Sequence, residues 1–329
     1  MPSISSLRPH RAVGGGRVTL HGQSFRIEDT LPGVSIGGVP ARLSFATSER
    51  LVITVPRELE GGPSPIRIAG LPGDTPYVSI GGAWATGLHQ VDSPVFDAGG
   101  NLFVTYSGSR GQEAPVSIFR VTAGGTREPY ASGIVNPTSM VIGPDGRLYV
   151  SSRFEGAVYR VSPDGNHEQV ASNLGVACGL AFDADGWLYV GDRSGTIFRV
   201  REGHATAFAS LPPSVAAFHL AMSQSGDLFV TAPTLGSYDY VYRIDRHGQV
   251  RTLGSQMGRP QGLAFGPDGA LYVVDALAGS SGLYRVPLTD AGSDVEPELI
   301  VAGTTLIGVA WGPAGELVVA SQDTAYRFD

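Results

Sequence analysis

The sequence predicts an all-β protein in two unequal parts. A small β-sandwich covers residues 1–70, and a six-bladed β-propeller with four-stranded blades covers 77–329, after a linker at 71–76. Three observations predict it. A phrase of apolar strand, Gly turn and apolar strand recurs six times beyond residue 90. The 329 residues include 46 Gly and 23 Pro, the punctuation that many short strands and tight turns require. No stretch carries the 3.6-residue period of an amphipathic helix, so helix should be nearly absent.

Residues 1–70 lack the repeat and read as alternating strands separated by Gly turns: 15–25 (GGRVTLHGQSF), 33–43 (GVSIGGVPARL), 51–56 (LVITVP) and 64–70 (SPIRIAG). The segment Leu71-Pro72-Gly73-Asp74-Thr75-Pro76 is short and Pro-containing, so the sandwich should sit close to the ring. The repeated phrases are 93–104, 139–150, 179–190, 219–230, 262–273 and 308–319. Their second turn glycines are Gly100, Gly146, Gly186, Gly226, Gly269 and Gly315, spaced by 46, 40, 40, 43 and 46 residues. Each hairpin is followed by a strand ending in an aromatic–Arg pair, as at 117–121, 157–161, 196–200, 240–244, 282–286 and 325–328. A less apolar fourth strand follows in all but the last copy. Residues 83–87 (AWATG) look like that missing strand, so a segment near 79–88 should close the final blade and the ring.

Composition excludes several functions. One Cys makes neither an internal disulfide nor a cysteine zinc cluster. All 23 basic residues are Arg, which removes Schiff-base catalysis and the P-loop Lys. The net charge of −7 argues against nucleic acid as a partner of the larger part. The first 75 residues hold eight Arg against six acids, a slight positive excess that gives DNA binding by the sandwich little support. No eighteen-residue apolar run predicts a membrane span, and MPSISSLRPHR has no apolar signal-peptide core, so a soluble, cytoplasmic protein is expected. No nucleophile elbow, zinc-protease helix or dinucleotide fingerprint is present, and Gly14-Gly15-Gly16 opens no helix that would make it a phosphate loop.

Three early motifs resemble the IPT/TIG immunoglobulin-like family: Pro-x-Ile-x-x-Leu-x-Pro at 2–9, Gly-Gly-x-Val-Thr-Leu-x-Gly at 15–22 and Val-x-Ile-Gly-Gly-x-x-Ala at 34–41. The x-Pro-x-Gly-Leu-Ala-Phe-x-x-Asp-Gly-x-Leu-Tyr-Val run, clearest at 259–273, resembles NHL-repeat and gluconolactonase (regucalcin, SMP-30)-like six-bladed propellers over most of 90–329. That resemblance implies a central divalent cation such as Ca²⁺, held by carboxylates and amides where the inner strands begin.

Topology places the start of each inner strand and the loop after each second strand on one face of the disc, opposite the Asp-Gly turns. The strand starts are Asp92, Thr138, Cys178, Phe218, Gln261 and Ile307; the loops begin near Ser107, Arg153, Arg193, Pro233, Ala276 and Gln322, with Asp192 and Asp275 beside them. Asp92 matches the resembled family's carboxylate, but Thr138, Cys178, Phe218, Gln261 and Ile307 stand where its Asn and Asp ligands would be. One carboxylate and one amide hold Ca²⁺ weakly, since that ion wants six to eight oxygens. Asp92 is therefore read as a metal ligand or base, or as a cap on backbone amides. His219 and His89 are each a general base facing the funnel or a packing residue, and Cys178 a nucleophile or a buried filler. Asp192-Arg193 and Arg153-Phe154-Glu155 are substrate clamps or local salt bridges, and Tyr238 belongs to an aromatic loop that binds ligand or is solvated. The aromatic–Arg pairs, in every copy, are packing. The resulting reading is a ligand- or protein-binding propeller module with an accessory TIG sandwich, its partner a small molecule or protein at the upper face. The alternative is a metal-assisted lactone or ester hydrolase built on Asp92 and His219.

Overall fold

The computed structural model describes residues 3–27, 31–71, 75–89, 92–276, 280–289 and 296–328. The expected linker residues Pro72, Gly73 and Asp74 lie outside the described residues. The N-terminal part contains β1 (Ser3–Arg8), β2 (Arg11–Ala12), β3 (Arg17–Gln23), β4 (Val34–Ile36), β5 (Val39–Ala46), β6 (Arg50–Thr54), β7 (Gly62–Ile68) and β8 (Tyr77–Ile80). Val18 and Leu20 of β3, Ile36 of β4, Leu51 and Ile53 of β6 and Ile66 of β7 are buried in one core. They alternate with more exposed neighbours, the period-two pattern of a half-buried sheet.

The repeats fold as the spacing predicts. β9 (Gly82–Thr86) comes first, then β10–β13 (Val95–Phe96, Leu102–Thr105, Ile118–Val121, Arg127–Ala131) and β14–β17 (Pro137–Ile142, Leu148–Ser152, Ala157–Val161, His167–Ala171). Next are β18–β21 (Ala177–Phe182, Leu188–Asp192, Thr196–Arg201, His204–Ser210) and β22–β25 (His219–Met222, Leu228–Thr231, Asp239–Ile244, Val250–Met257). The last are β26–β29 (Pro260–Phe265, Leu271–Asp275, Gly282–Val286, Glu298–Ala302) and β30–β32 (Gly308–Trp311, Leu317–Ala320, Thr324–Phe328). Each hairpin turn needs one residue at positive φ, and the six second turn glycines supply it with φ between 72° and 88°. Among the described residues the regular structure is strand alone, as the missing 3.6-residue period predicts.

β9 pairs antiparallel with β32, Ala85 opposite Ala325 and Gly82 opposite Arg327, so the strand that the last repeat lacks does come from just after the sandwich. Trp84 of β9 stacks on Phe96 of the first repeat at 5.8 Å, with the Arg327 guanidinium 5.1 Å from the Trp84 ring centre. The first strands β10, β14, β18, β22, β26 and β30 touch in that order, and β30 touches β10. Neighbouring sheets interlock through edge-to-face aromatic pairs: Tyr149 with Phe182, and Phe229 with Phe265. The Arg of the aromatic–Arg pairs reaches toward the turns, where Arg160 meets Asp145, Arg243 meets Asp227 and Arg285 meets Asp268.

One expectation needs correcting. Six separate blades are expected from the sequence, but the structure has five separate four-stranded sheets, and β26–β29 form the end of a twelve-stranded one. The cause is β2. It lies parallel to both β8 and β29, Ala12 facing Ile80 on one side and Ala302 on the other, and so hydrogen-bonds the sandwich to the fifth repeat. Val13 continues the contact, donating its N–H to Ala302 O at 2.9 Å and packing in the core of the fifth and sixth repeats. The Gly14–Gly16 run follows directly, and a Cβ on Gly16 would stand 2.3 Å from Ala302 O.

Gly16→Ala should therefore lower the unfolding free energy by about 2 kcal/mol or more, because backbone on both sides has to move. Gly33→Ala, where the nearest atom is 3.7 Å away, should stay within about 0.5 kcal/mol. Urea unfolding of both variants checks this, and equal midpoints would refute the close-packed seam.

Candidate functional site

The first strands begin at one face of the ring and run to the Gly turns at the other. Two cavities follow this axis. The funnel at the strand starts holds about 300 Å³ and is lined by Asp92, Arg153, Cys178, Arg193, Gln261 and Gln322, with aliphatic residues such as Val176, Val215 and Ile307 between them. A channel of about 370 Å³ runs along the first strands, with Ser93, Ser139 and His219 among mostly apolar side chains. Asp92 lines both, so it stands at their junction.

Asp92 is half-buried, and its surroundings raise its carboxyl from 3.8 to about 6, desolvation outweighing the opposing pull of the Arg153 guanidinium. Arg193 is exposed, and carbonyls aim it: Nε donates to Ser214 O at 3.2 Å and Nη2 to Val215 O at 3.1 Å. Cys178 is buried, and desolvation pushes its thiol up to about 12, so it is neutral and a poor nucleophile. Gln261 is close to fully buried, and its backbone oxygen accepts the Thr231 hydroxyl at 2.5 Å.

Other candidates from the sequence are committed elsewhere. Asp192 ends β19 opposite Ala177 and caps the loop before β18: Oδ1 accepts Val176 N–H at 2.7 Å, and Oδ2 accepts the Ser194 hydroxyl. Asp275 ends β27 in the same register and accepts Gly258 and Arg259 N–H, both at 2.8 Å. Neither carboxylate lines the funnel. Thr138 is buried and donates to Asn136 O at 3.3 Å, while Phe218 is fully buried in a core cluster against Gly191. Tyr238 is 64% exposed and lines neither axial cavity. His219 lines the channel with Nδ1 3.5 Å from Ser93 Oγ, but Nε2 is enclosed and has no hydrogen-bond partner among the described residues. Burial lowers its pKa to about 4, so it stays neutral near pH 7 and is a weak base. His89 bonds through Nδ1 to the Ser107 carbonyl beside Tyr106.

Sequence reasoning missed the residues that stitch this face together. The Ser151 hydroxyl donates to Cys178 O at 2.6 Å, and Ser139 Oγ accepts Leu180 N–H at 3.1 Å, each bridging two repeats. Asn136, buried at φ 49°, accepts Gly111 N–H at 2.7 Å and donates to Gly108 O at 2.8 Å, pinning the loop after β11. A Ser or Thr at the fourth position of three second strands, Thr105 of β11, Ser151 of β15 and Thr231 of β23, was the available signal.

The implied divalent cation can be tested against these donors. The funnel offers one carboxylate, Asp92, and two amides, Gln261 and Gln322, while two guanidiniums share the same walls. Among the described residues no group of three or more His, Cys, Asp or Glu is arranged around a common point. A dication would face repulsion from both arginines and find too few oxygens, so the residues do not fit it.

Comparison with known proteins agrees on architecture. Residues 2–70 match the model of the IPT/TIG domain, and residues 179–200 match that of the strictosidine synthase-like N-terminal region. No curated protein matches the chain. Among solved structures, a protein of unknown function from Bacteroides thetaiotaomicron aligns over 99% of this chain and 97% of its own, at 13% identity and a TM-score of 0.58. An auxiliary nutrient binding protein from the same organism aligns over the same shares, also at 13% identity, with a TM-score of 0.56. A structure provisionally described as a gluconolactonase aligns over 75% of this chain and 90% of its own, at 17% identity and a TM-score of 0.57. At such identities the likeness establishes the fold: an all-β propeller carrying a TIG domain. No described helix is long and apolar enough to cross a membrane.

Two outcomes follow. Native Cys178 should resist a thiol-specific disulfide reagent at pH 8 and react fully in concentrated guanidinium; fast native labelling would contradict the buried, protonated thiol. For Asp92, a raised folded pKa means that its stabilising contribution is complete below about pH 4 and lost as pH rises through about 6. Asp92→Asn should then match the parent near pH 4 and exceed it by about 1 kcal/mol or more at pH 8. His219 titrates with the opposite sign but is common to both proteins, so it cancels in the difference, which urea unfolding across pH reads directly.

Proposed function

We propose that this chain is a binding module that holds a small molecule in the funnel at the upper face of a six-bladed ring. On this reading β26–β29 are the fifth blade, 1–70 are an accessory sandwich and 77–329 supply the ring, except that β8 at their start pairs with β7 and so belongs to the sandwich. The closed cycle of contacts among β10, β14, β18, β22, β26 and β30 supports six blades. The observation that carries the binding reading is the funnel itself. Asp92, Arg153, Arg193, Gln261 and Gln322 converge on one concave space, with Val176, Val215, Ala216, Ala217 and Ile307 between them, so polar groups and apolar contacts share one recess.

The same groups do not assemble a catalytic relay. Cys178 is held as a thiol, and His219 is a weak base with one nitrogen walled off. The nutrient-binding neighbour accords with a binding role, although its low identity carries only the fold. Rigidity supports the same role: the inter-blade bonds from Ser151 and Thr231 end on the carbonyls of the funnel residues Cys178 and Gln261.

A thermal-shift screen of small metabolites against the full chain tests this. At least one compound should raise the melting temperature, and Ala217→Trp, which fills the funnel wall, should abolish that shift while leaving the unliganded melting temperature within a few degrees. Ligands that bind Ala217→Trp unchanged would place the site elsewhere.

A further inference from the structure

Resting on that binding reading, we propose that the funnel's ligand is a small organic carboxylate, seated on the Arg193 guanidinium and discriminated by charge. The observation is an aimed cation without a counter-ion at the mouth of a cavity. Two carbonyls, Ser214 O and Val215 O, orient Arg193 through two of its five N–H donors. Carbonyl dipoles aim the group but do not neutralise it, and among the described residues no carboxylate lies within ion-pair distance of it. The remaining donors form a planar fork suited to a carboxylate.

Four arginines at the other face of the ring are matched by acids, while Arg199 and Arg327 lie over the Trp187 and Trp84 rings. Arg120, Arg160, Arg243 and Arg285, all from the aromatic–Arg pairs, meet Glu or Asp partners. The net charge of −7 therefore misdescribes the funnel. The turn acids Asp145, Asp227 and Asp268 lie at the opposite end of the second strands and pair there with arginine. At the funnel end Asp192 and Asp275 are committed to backbone N–H groups. What lines the funnel is two arginines against Asp92 alone. A monoanion fits better than a dianion, because Asp92 repels every added negative charge, and Val176, Val215 and Ile307 offer an apolar body its contacts.

Asp92 then makes affinity depend on pH. The ionisable groups facing it across the two cavities are Arg153, Arg193, Cys178 and His219. Cys178 stays a thiol and His219 stays neutral between pH 5 and 8. Asp92 alone changes charge in that interval, so a carboxylate should bind more tightly as pH falls through about 6.

Benzoate, benzamide and benzylamine share one ring and differ in charge. Calorimetric titration of the full chain should show benzoate binding at least tenfold more tightly than either of the others. Arg193→Gln should cost about tenfold or more for benzoate, with Arg193→Lys recovering part of it. Asp92→Asn should tighten benzoate several-fold at pH 8 and flatten its pH dependence, a gain that misfolding cannot imitate. Equal affinity for benzamide, an unchanged Arg193→Gln, or a weakened Asp92→Asn would overturn the assignment. If a neutral ligand binds and Ala217→Trp abolishes it, the binding reading stands and the carboxylate reading falls. If probes of every charge fail to bind in the funnel, both fall.

Discussion

The ladder between β9 and β32 is the interaction on which the remaining geometry depends. It ties residues 82–86 to residues 324–328, at the far end of the ring's chain. Without it the last sheet would keep only three strands, with β32 as an unpaired edge, and the chain that leads into the first repeat would not be tied to the last one. Asp92 lies six residues beyond β9, so the same ladder sets it down among Gln261, Ile307 and Gln322 from the fifth and sixth repeats. A site assembled from such distant parts of a sequence exists only in the closed state.

The sandwich takes part in that closure. Through β2 it shares a hydrogen-bonded sheet with β29 and β8, and Val13 enters the core of the fifth and sixth repeats. The segment that follows β8 is β9, so the sandwich anchors both the chain entering the ring and the blade beside its closure. A pair of strand residues bonded on both sides is a small feature, yet it converts a tethered neighbour into part of the same sheet. The glycines at 14–16 belong to this contact, since side chains there would meet Arg57, Thr304 and Ala302.

At the funnel end, polar residues divide between holding and presenting. Asp192, Asp275, Asn136 and Ser151 satisfy backbone groups of loops that would otherwise bury unpaired N–H and C=O. Each such bond fixes a loop and removes a side chain from service as a ligand. Asp92, Arg153 and Arg193 remain directed at the cavity, which is why charge there departs from the average of the chain. The physical logic is that of a rigid cup: hydroxyls and carboxylates lock the rim, and a few cations line it.

The repeat spacing, the positive-φ turn glycines and the lone missing fourth strand were enough to read an all-β ring, its Gly turns and its closing strand, because period-two burial and turn chemistry are local properties. Identifying Asp92, Arg153, Arg193 and Gln261 as neighbours was possible for the same reason, since one hairpin register repeated around an axis brings equivalent positions together. Long-range packing decided the rest. β2 has only two strand residues, too few to show alternation, and its partners are some 70 and 290 residues away. Asp192 and Asp275 looked like candidate ligands because a sequence shows that a carboxylate is present but not which backbone N–H it caps. His219 looked like a base because its burial, and the walling-off of Nε2, come from strands that only the folded ring brings against it.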